Sequence, residues 1–268
     1  MQKNFGNSIY IDKHMAQNNW TKEETIIAFN VYCKIPFKSS NKSNPTIIKY
    51  ADIIGRSPSA LNMKIGNFGR LDPELKKQGI VGLKHGSKLE EEVWNEFNGN
   101  WEQLAFESEM LISKFSNQTI EEVSGIDLKD IKIGLDREYI IKQRVNQGFF
   151  RSTILSSYYS KCCITGLSIP DFLVASHIIP WSKCKENRLN PRNGICLNSI
   201  HDKAFDKGFI TITPDFKIKI STTFEQYAHE DSVKEFFIKY ENRSISLPDK
   251  FHPSKEFLDY HYQNIFIK

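Results

Sequence analysis

The sequence predicts an α+β protein in which an all-helical N-terminal domain precedes a compact unit of two short strands and one helix. Three observations support this fold class. Before residue 115, apolar residues recur at helical spacing between capping and stop signals. Two short apolar runs then lie at 172–179 and 195–197. The segment "SIHDKAFD" follows the second run and predicts a helix that ends at Gly208.

Length and composition indicate a globular protein. A chain of 268 residues can form two domains. We place the helical domain at 1–115, a linker at 116–136 and the second domain, with a C-terminal extension, at 137–268. No apolar run reaches the roughly 18 residues of a membrane span, and the first residues lack the apolar core of a signal peptide. The five cysteines, odd in number and irregular in spacing, favour reduced thiols. We therefore expect a cytoplasmic protein with no membrane partner.

The positive charge is concentrated in one part of the chain. The net charge is +4, and residues 1–133 contain equal numbers of basic and acidic side chains. Residues 134–208 contain 11 lysines and arginines against 6 acidic residues. A basic segment of this size suits a polyanion such as nucleic acid, although charge alone fits a solvated basic face almost as well.

Several helices are predicted from their caps and stops. In "WTKEETIIAFNVYCKI" a threonine precedes two glutamates and an apolar stripe, which predicts a capped helix that Pro36 ends. "LDPELKKQGIVGL" predicts a short helix, and "SKLEEEVWNEFNGNWEQLAFESEMLISKF" predicts two helices broken at "NGN". Helical spacing returns in "REYIIKQRVNQGFFRSTILSSYYS", where Arg144 and Arg151 are candidate phosphate contacts.

The spacing of Ala51, Gly55 and Leu61 is that of a helix-turn-helix. The small residue lets two helices touch, the glycine makes the turn, and the aliphatic residue anchors a second helix that begins near Pro58. An ordinary helical hairpin has the same spacing. If this is a DNA-reading module, its base or phosphate contacts would be Arg56, Ser59, Asn62 and Lys64.

The stretch "VASHIIPW" places an ionisable histidine, His177, within an apolar strand. A histidine there can be a core residue with satisfied hydrogen bonds, and taken alone that interpretation is the more common one. The neighbouring segments favour a functional role. "NPRNGICLN" predicts the second strand, and "HDKAFDKG" predicts the helix that follows it.

These segments resemble the HNH nucleases, whose ββα-metal motif is named for a His, an Asn and a His. "NQGFFRSTILSSYYSKCCITG", "ASHIIPW", "NPRNGICLN" and "HDKAFDKG" occur in the expected order over about residues 137–220. The resemblance implies metal-dependent hydrolysis of phosphodiester bonds with His177 as the general base. It identifies Asn193 as the motif's asparagine, which either fixes the loop carrying the base or adds a metal ligand.

The resemblance also indicates where a metal would bind. The final metal-binding residue falls nine positions after the asparagine, at Asp202, and Asp206 lies one helical turn further on. His201 stands beside Asp202 as a second candidate, although it points elsewhere on the helix. We favour Asp202 and Asp206, because carboxylate oxygens suit Mg²⁺ or Mn²⁺ better than zinc.

Two departures from the family pattern affect the expected metal site. Many members have Asp or His immediately before the base, whereas this chain has Ser176. Many also carry two CxxC pairs for a structural zinc, which are reduced here to Cys163 with Gly166 and Asn198 with His201. We therefore expect no structural zinc.

The resulting functional hypothesis is a restriction-type HNH endonuclease that cuts double-stranded DNA. The helical domain would select the site, and Arg188 and Arg192 would clamp phosphates beside the cut. A cut through both strands would favour a homodimer. Two alternatives stay open: a non-catalytic DNA-binding or regulatory protein on the same scaffold, and an HNH nuclease acting on RNA or single-stranded DNA.

Overall fold

A computed structural model describes residues 19–80, 86–127 and 137–268, a mixture of helices and short antiparallel strands. In the described ranges no helix is both long enough and apolar enough to cross a membrane. The helices before residue 130 are α1 Lys22–Lys34, α2 Pro45–Ile53, α3 Pro58–Leu71, α4 Pro73–Lys77, α5 Lys88–Phe97, α6 Trp101–Ser116 and α7 Ile120–Ser124. They are followed by α8 Arg137–Ser157, β1 Leu173–His177, β2 Gly194–Asn198, α9 Ser199–Asp206, β3 Ile210–Ile212, β4 Ile218–Ile220, α10 Asp231–Phe236 and α11 Lys255–Asn264.

Helix α1 is the centre of the helical part. It begins with the capping box expected from its sequence, in which Thr21 and Glu24 bond each other's backbone amides. Phe29 and Tyr32 are completely buried among aromatic rings of α3, α5 and α6. The predicted helices on either side of "NGN" are confirmed as α5 and α6. α1 is therefore surrounded by helices rather than exposed on one face.

Helices α2 and α3 form a tight pair joined by a four-residue turn. Gly55 in that turn has a φ of +67°, which favours glycine. A Cβ added at this position would contact no other atom, so the backbone conformation rather than crowding explains the glycine. Ala51 and Leu61 are fully buried between the two helices. Because a helical hairpin shares this arrangement, assignment as a helix-turn-helix stays a prediction.

The two strands β1 and β2 pair antiparallel and pack against α8. Leu173 lies opposite Asn198 and His177 opposite Gly194 in the register. A Cβ at Gly194 would collide with the side chains of Ile154 and Phe150 on α8. The glycine therefore allows α8 to lie directly against the end of the hairpin that carries the histidine.

Helix α9 follows β2 and completes the predicted ββα unit. Asn198 caps it through its side-chain oxygen, and Gly208, with φ +75°, follows its end as predicted. His261 on α11 is buried, stacks on Phe205 of α9 with 3.7 Å between ring centroids and bonds the Phe205 carbonyl. α11 is thus a packing element, as expected for the C-terminal extension.

One continuous set of buried apolar residues runs through the helical part and the ββα part. α8 packs against both α1 and α6, and α7 lies within the segment predicted to be a linker. Residues 128–136 of that segment lie outside the described residues. The proposed domain boundaries stay a prediction, but the two described parts are extensively in contact.

Lys250 connects the two parts through a side chain that is completely buried, which is rare for a lysine. Its ammonium bonds the carbonyl oxygens of Tyr32, Cys33 and Ile35 at the C-terminal end of α1. Helix ends leave such carbonyls without partners, and their partial negative charge attracts a cation. Lys250 therefore caps α1 from a position more than 200 residues away in the chain.

We expect Lys250→Met to lower the free energy of unfolding by about 3 kcal/mol, because it leaves buried carbonyl groups unsatisfied. Urea denaturation followed by circular dichroism would measure this change. Lys161→Met is the matched control, since Lys161 is exposed. Equal stability of the two variants would show that the cap contributes nothing.

Candidate active site

His177 ends β1 with its imidazole ring held on three sides. Its Nε2 lies 2.9 Å from the carbonyl oxygen of Arg188, and only an N–H can donate to that acceptor. Phe150 stacks on the ring with 4.0 Å between centroids, and Trp181 meets its edge at 5.4 Å. In the neutral ring the proton therefore sits on Nε2, and Nδ1 has the lone pair of a base.

Asn193 stabilises the loop that connects β1 to β2. Its side-chain oxygen accepts from the Ile179 amide at 2.8 Å, and its NH₂ group donates to the carbonyls of Ile179 and Asn187. Its own carbonyl accepts from the Ile178 amide at 2.9 Å. Of the two roles expected for Asn193, these contacts favour fixing the loop, because both of its oxygens are already used.

Arg188 is fixed by Trp181 rather than directed freely into solvent. Its Nε donates to the Trp181 carbonyl at 2.8 Å, and its guanidinium lies 5.0 Å from the centre of the Trp181 indole ring. These contacts hold the Arg188 backbone carbonyl in place for His177. The arginine predicted as a phosphate clamp thus also positions the imidazole ring of His177.

Asp202 and Asp206 project from successive turns of α9, with Asp202 towards His177. Burial raises the pKa of the Asp202 carboxyl, and the neighbouring Asp206 charge adds to that, while the hydroxyl of Ser176 and the charge of His177 oppose it. Burial likewise raises the pKa of Asp206. In the described part of the chain neither carboxylate forms an ion pair. The half-buried carboxylate of Asp202 and the exposed carboxylate of Asp206 lie on successive turns, and two neighbouring negative charges favour a bound cation.

Ser176 contributes an orphaned polar atom next to these carboxylates. The residue is 2% exposed, and its hydroxyl oxygen forms no hydrogen bond of normal geometry among the described residues. It lies close enough to Asp202 to lower the pKa of that carboxyl. No group of three or more His, Cys, Asp and Glu side chains is arranged to hold a metal within the described ranges. The oxygen donors of Asp202, Asp206 and Ser176 nevertheless fit a hard cation.

The structure argues against His201 as a metal ligand. It is buried, with Nδ1 3.0 Å from the Asn198 side-chain oxygen and Nε2 2.7 Å from the Phe236 carbonyl oxygen. Its ring also packs edge-on against Phe237 and Tyr240. Both ring nitrogens are therefore used for packing the helix, and Asp202 is the residue that lies towards His177.

Three of the basic residues predicted to contact DNA form ion pairs with glutamates of the protein itself. Arg192 forms a two-fold ion pair with Glu74, at 2.6 and 2.8 Å. Arg56 pairs with Glu24 at 2.8 Å, and Lys64 pairs with Glu90 at 2.6 Å. These ion pairs with buried glutamates compete with the predicted phosphate or base contacts at Arg192, Arg56 and Lys64, which stay predictions.

The other candidates differ in how accessible they are. Arg151 donates to the carbonyls of Leu173 and Pro170 and ties α8 to the start of β1. Arg144 and Ser59 are exposed, and Asn62 is half-buried. Sequence reasoning missed an exposed set of cations on the loop after β1 and on α9: Lys183, Lys185, Lys203 and Lys207. Their position on either side of "PRNGICLN" was the available signal.

The family comparison agrees with this geometry. Residues 162–213, which include β1, β2 and α9, match the family model described as HNH endonuclease. This segment is an HNH domain. No curated protein matches the chain. The HNH domain indicates a nuclease that acts on nucleic acid, and nucleases of this family use divalent metal ions.

Phe150, whose ring packs on His177 of the HNH domain, was not recognised from the sequence as part of the site. It lies on α8, before the matched segment, and its ring covers one face of His177. The aromatic pair "FF" in the middle of this helix was the available signal. The HNH domain thus depends on a helix that its family model does not include.

Burial lowers the pKa of His177 below its ordinary value, while the Arg188 carbonyl and the Asp202 charge partly oppose this effect. Phe150→Ala should raise that pKa towards its ordinary value by admitting water, and Asp202→Asn should lower it further by removing a negative charge. NMR titration of the metal-free protein would measure both shifts. A shift of either variant in the opposite direction would contradict the placement of the ring.

The pairing of Arg192 with Glu74 can be measured by a double-mutant cycle. We expect Arg192→Ala and Glu74→Ala each to destabilise the protein, with a coupling energy of about 1 kcal/mol because Arg192 is partly exposed. Denaturant unfolding of the single and double variants gives this energy. Additive effects of the two substitutions would show that the ion pair does not stabilise the fold.

Proposed function

We propose that this protein is a metal-dependent HNH endonuclease that hydrolyses phosphodiester bonds of double-stranded DNA, with His177 as the general base. The observation that carries the proposal is the hydrogen bond from Nε2 of His177 to the Arg188 carbonyl. It leaves Nδ1 as the basic nitrogen and orients it. A core histidine would instead have both nitrogens satisfied, as His261 does with the Thr211 hydroxyl and the Phe205 carbonyl.

The proposed chemistry of the histidine is a single proton transfer. Nδ1 of His177 takes a proton from water, the water oxygen bonds to phosphorus, and the bond from phosphorus to the sugar oxygen breaks. Burial keeps the pKa of His177 below its ordinary value, so the ring is neutral and able to accept a proton at neutral pH. The Arg188 carbonyl also favours the imidazolium that forms, because the hydrogen bond it accepts from Nε2–H is stronger when the ring is charged.

Asp202, with Asp206 and the Ser176 hydroxyl, would hold a divalent cation, for which we propose Mg²⁺ or Mn²⁺. Such an ion supplies positive charge for the phosphate and the departing oxygen. The proposal is supported by the raised pKa of both carboxyl groups, by their lack of ion-pair partners in the described ranges and by the unsatisfied Ser176 hydroxyl. Asn193 acts as a positioning residue for the loop.

The distribution of exposed charge supports a nucleic acid as the substrate, and duplex DNA is our proposal among the nucleic acids. The exposed lysines at 183, 185, 203 and 207 flank the site, and Arg144 is exposed on α8. Lysines of this kind contact phosphates without reading sequence. The helical part packs directly on the HNH domain. This contact is consistent with a restriction-type enzyme in which one part cleaves the DNA and the other selects the cleavage site.

We expect His177→Ala to reduce DNA cutting by a factor of about 1,000, the scale typical of a lost general base, while DNA binding persists. The assay incubates the full chain with plasmid DNA, modified phage DNA, single-stranded DNA and RNA, in Mg²⁺, Mn²⁺ or chelator. His229→Ala is the matched control, since His229 is exposed. Undiminished cutting by His177→Ala would exclude the histidine as the base.

The substrate panel separates the alternatives. Cutting of RNA or single-stranded DNA alone would replace the proposed substrate, and binding without cutting in any metal would favour a regulatory protein. Asp202→Asn should abolish the response to metal, and isothermal titration with Mn²⁺ would show whether the ion still binds. Retained metal binding by this variant would exclude Asp202 as a ligand.

A further inference from the structure

A cavity of about 320 Å³ lies next to the proposed base, between α6, α8 and the loop after β1. Trp181 and Arg188, which contact His177 or hold its partner carbonyl, form one wall of this cavity. A volume of this size falls at the lower end of those that bind small molecules. A group bound there would contact Trp181 and Arg188, the residues that surround the His177 ring or hold its partner carbonyl.

Asn146 on α8 is one of the residues that line this cavity. The residue is only 8% exposed, and its side-chain oxygen is buried without a hydrogen bond in the described part of the chain. An unsatisfied buried polar group of this kind costs stability, about 1 to 3 kcal/mol. A ligand that bonds the amide would offset that cost. Among the residues that line the cavity, Asn146 is thus the one with a buried side-chain oxygen that has no partner in the described ranges.

The surroundings of Asn146 suit a flat aromatic ring. Tyr139, Gln143 and Asn146 lie on one stripe of α8, since they are spaced four and three residues apart. Trp101 on α6 and Trp181 on the loop are the other aromatic side chains of the cavity. Nucleobases stack on such rings, and each stacked base contributes about 1 to 3 kcal/mol.

The charges at the cavity suit a phosphate at its mouth. Lys142, Lys185 and Arg188 line it together with two carboxylates, of which Glu102 is paired with Lys142 at 2.9 Å. The N-terminal end of the 16-residue helix α6 opens at the same place, and the side chain of its cap residue Asn100 bonds the Gln103 side chain rather than a backbone amide of the helix. Free backbone amides at a helix N-terminus bind anions.

We propose that this cavity binds the base of a nucleotide that lies beside the cleaved bond and is turned out of the DNA double helix. Asn146 would be the residue that determines which base is bound. The proposal rests on the proposed nuclease function. An amide presents a donor and an acceptor side by side, which matches the amino group and ring nitrogen of adenine or cytosine. Turning a base out of the duplex costs a few kcal/mol, which stacking and the two hydrogen bonds offset.

The test measures binding without cutting. Deoxynucleoside monophosphates of the four bases are titrated into the full chain in chelator, and quenching of tryptophan fluorescence reports binding. We expect the adenine and cytosine nucleotides to bind more tightly than the guanine and thymine nucleotides. Asn146→Leu and Asn146→Ala should weaken that binding at least tenfold, whereas Gln147→Leu, a matched control at an exposed position, should not.

Equal binding of the four nucleotides, no binding at millimolar concentration or normal binding by both Asn146 variants would overturn the proposal. The thermal unfolding midpoint of each variant shows that it is folded. The same measurement separates the two proposals, because it needs no cleavage. A chain that cuts DNA but binds no nucleotide refutes the cavity alone, and one that binds nucleotides but cuts nothing refutes the nuclease activity.

Discussion

The hydrogen bond between Nε2 of His177 and the carbonyl of Arg188 is the contact on which the site depends. It joins the end of β1 to a residue 11 positions further along, so it exists only if the intervening loop is closed. Asn193 closes that loop by bonding the backbone at Ile179 and Asn187, and the Arg188 side chain is anchored on Trp181. The tautomer of one imidazole is therefore decided by a whole loop rather than by a single neighbour.

The second constraint is the close contact between α8 and the hairpin. Gly194 faces His177 across the strands, and the space that a side chain would fill there is occupied by Ile154 and Phe150. Phe150 then covers one face of the imidazole and removes it from water, which is why burial dominates the pKa shift of His177. α8 also packs on α1, whose end is capped by Lys250. The position of His177 is therefore coupled to the helical part of the protein.

Much of this could be predicted from the sequence, because the relevant signals are local. The caps of α1, α5 and α9, the turn at Gly55 and the order of the strand and helix segments are set by neighbouring residues. The partners of the basic residues could not be predicted, because they are distant in the chain. Arg56 meets a glutamate 32 residues away, and Arg192 meets one 118 residues away. Charge type alone does not distinguish a DNA contact from an internal ion pair.

The internal pairing of those residues bears on how the helical part could contribute to selectivity. With Arg56 and Lys64 neutralised by Glu24 and Glu90, the face of α3 that would read a major groove has little positive charge of its own. The cavity lined by Lys142, Asn146 and Arg188 lies where the helical part meets the HNH domain. Recognition at that junction would place the selecting group and the base on the same rigid framework, because α8 contributes to both. Selection and cutting would then be coupled by packing rather than by a flexible link between two domains.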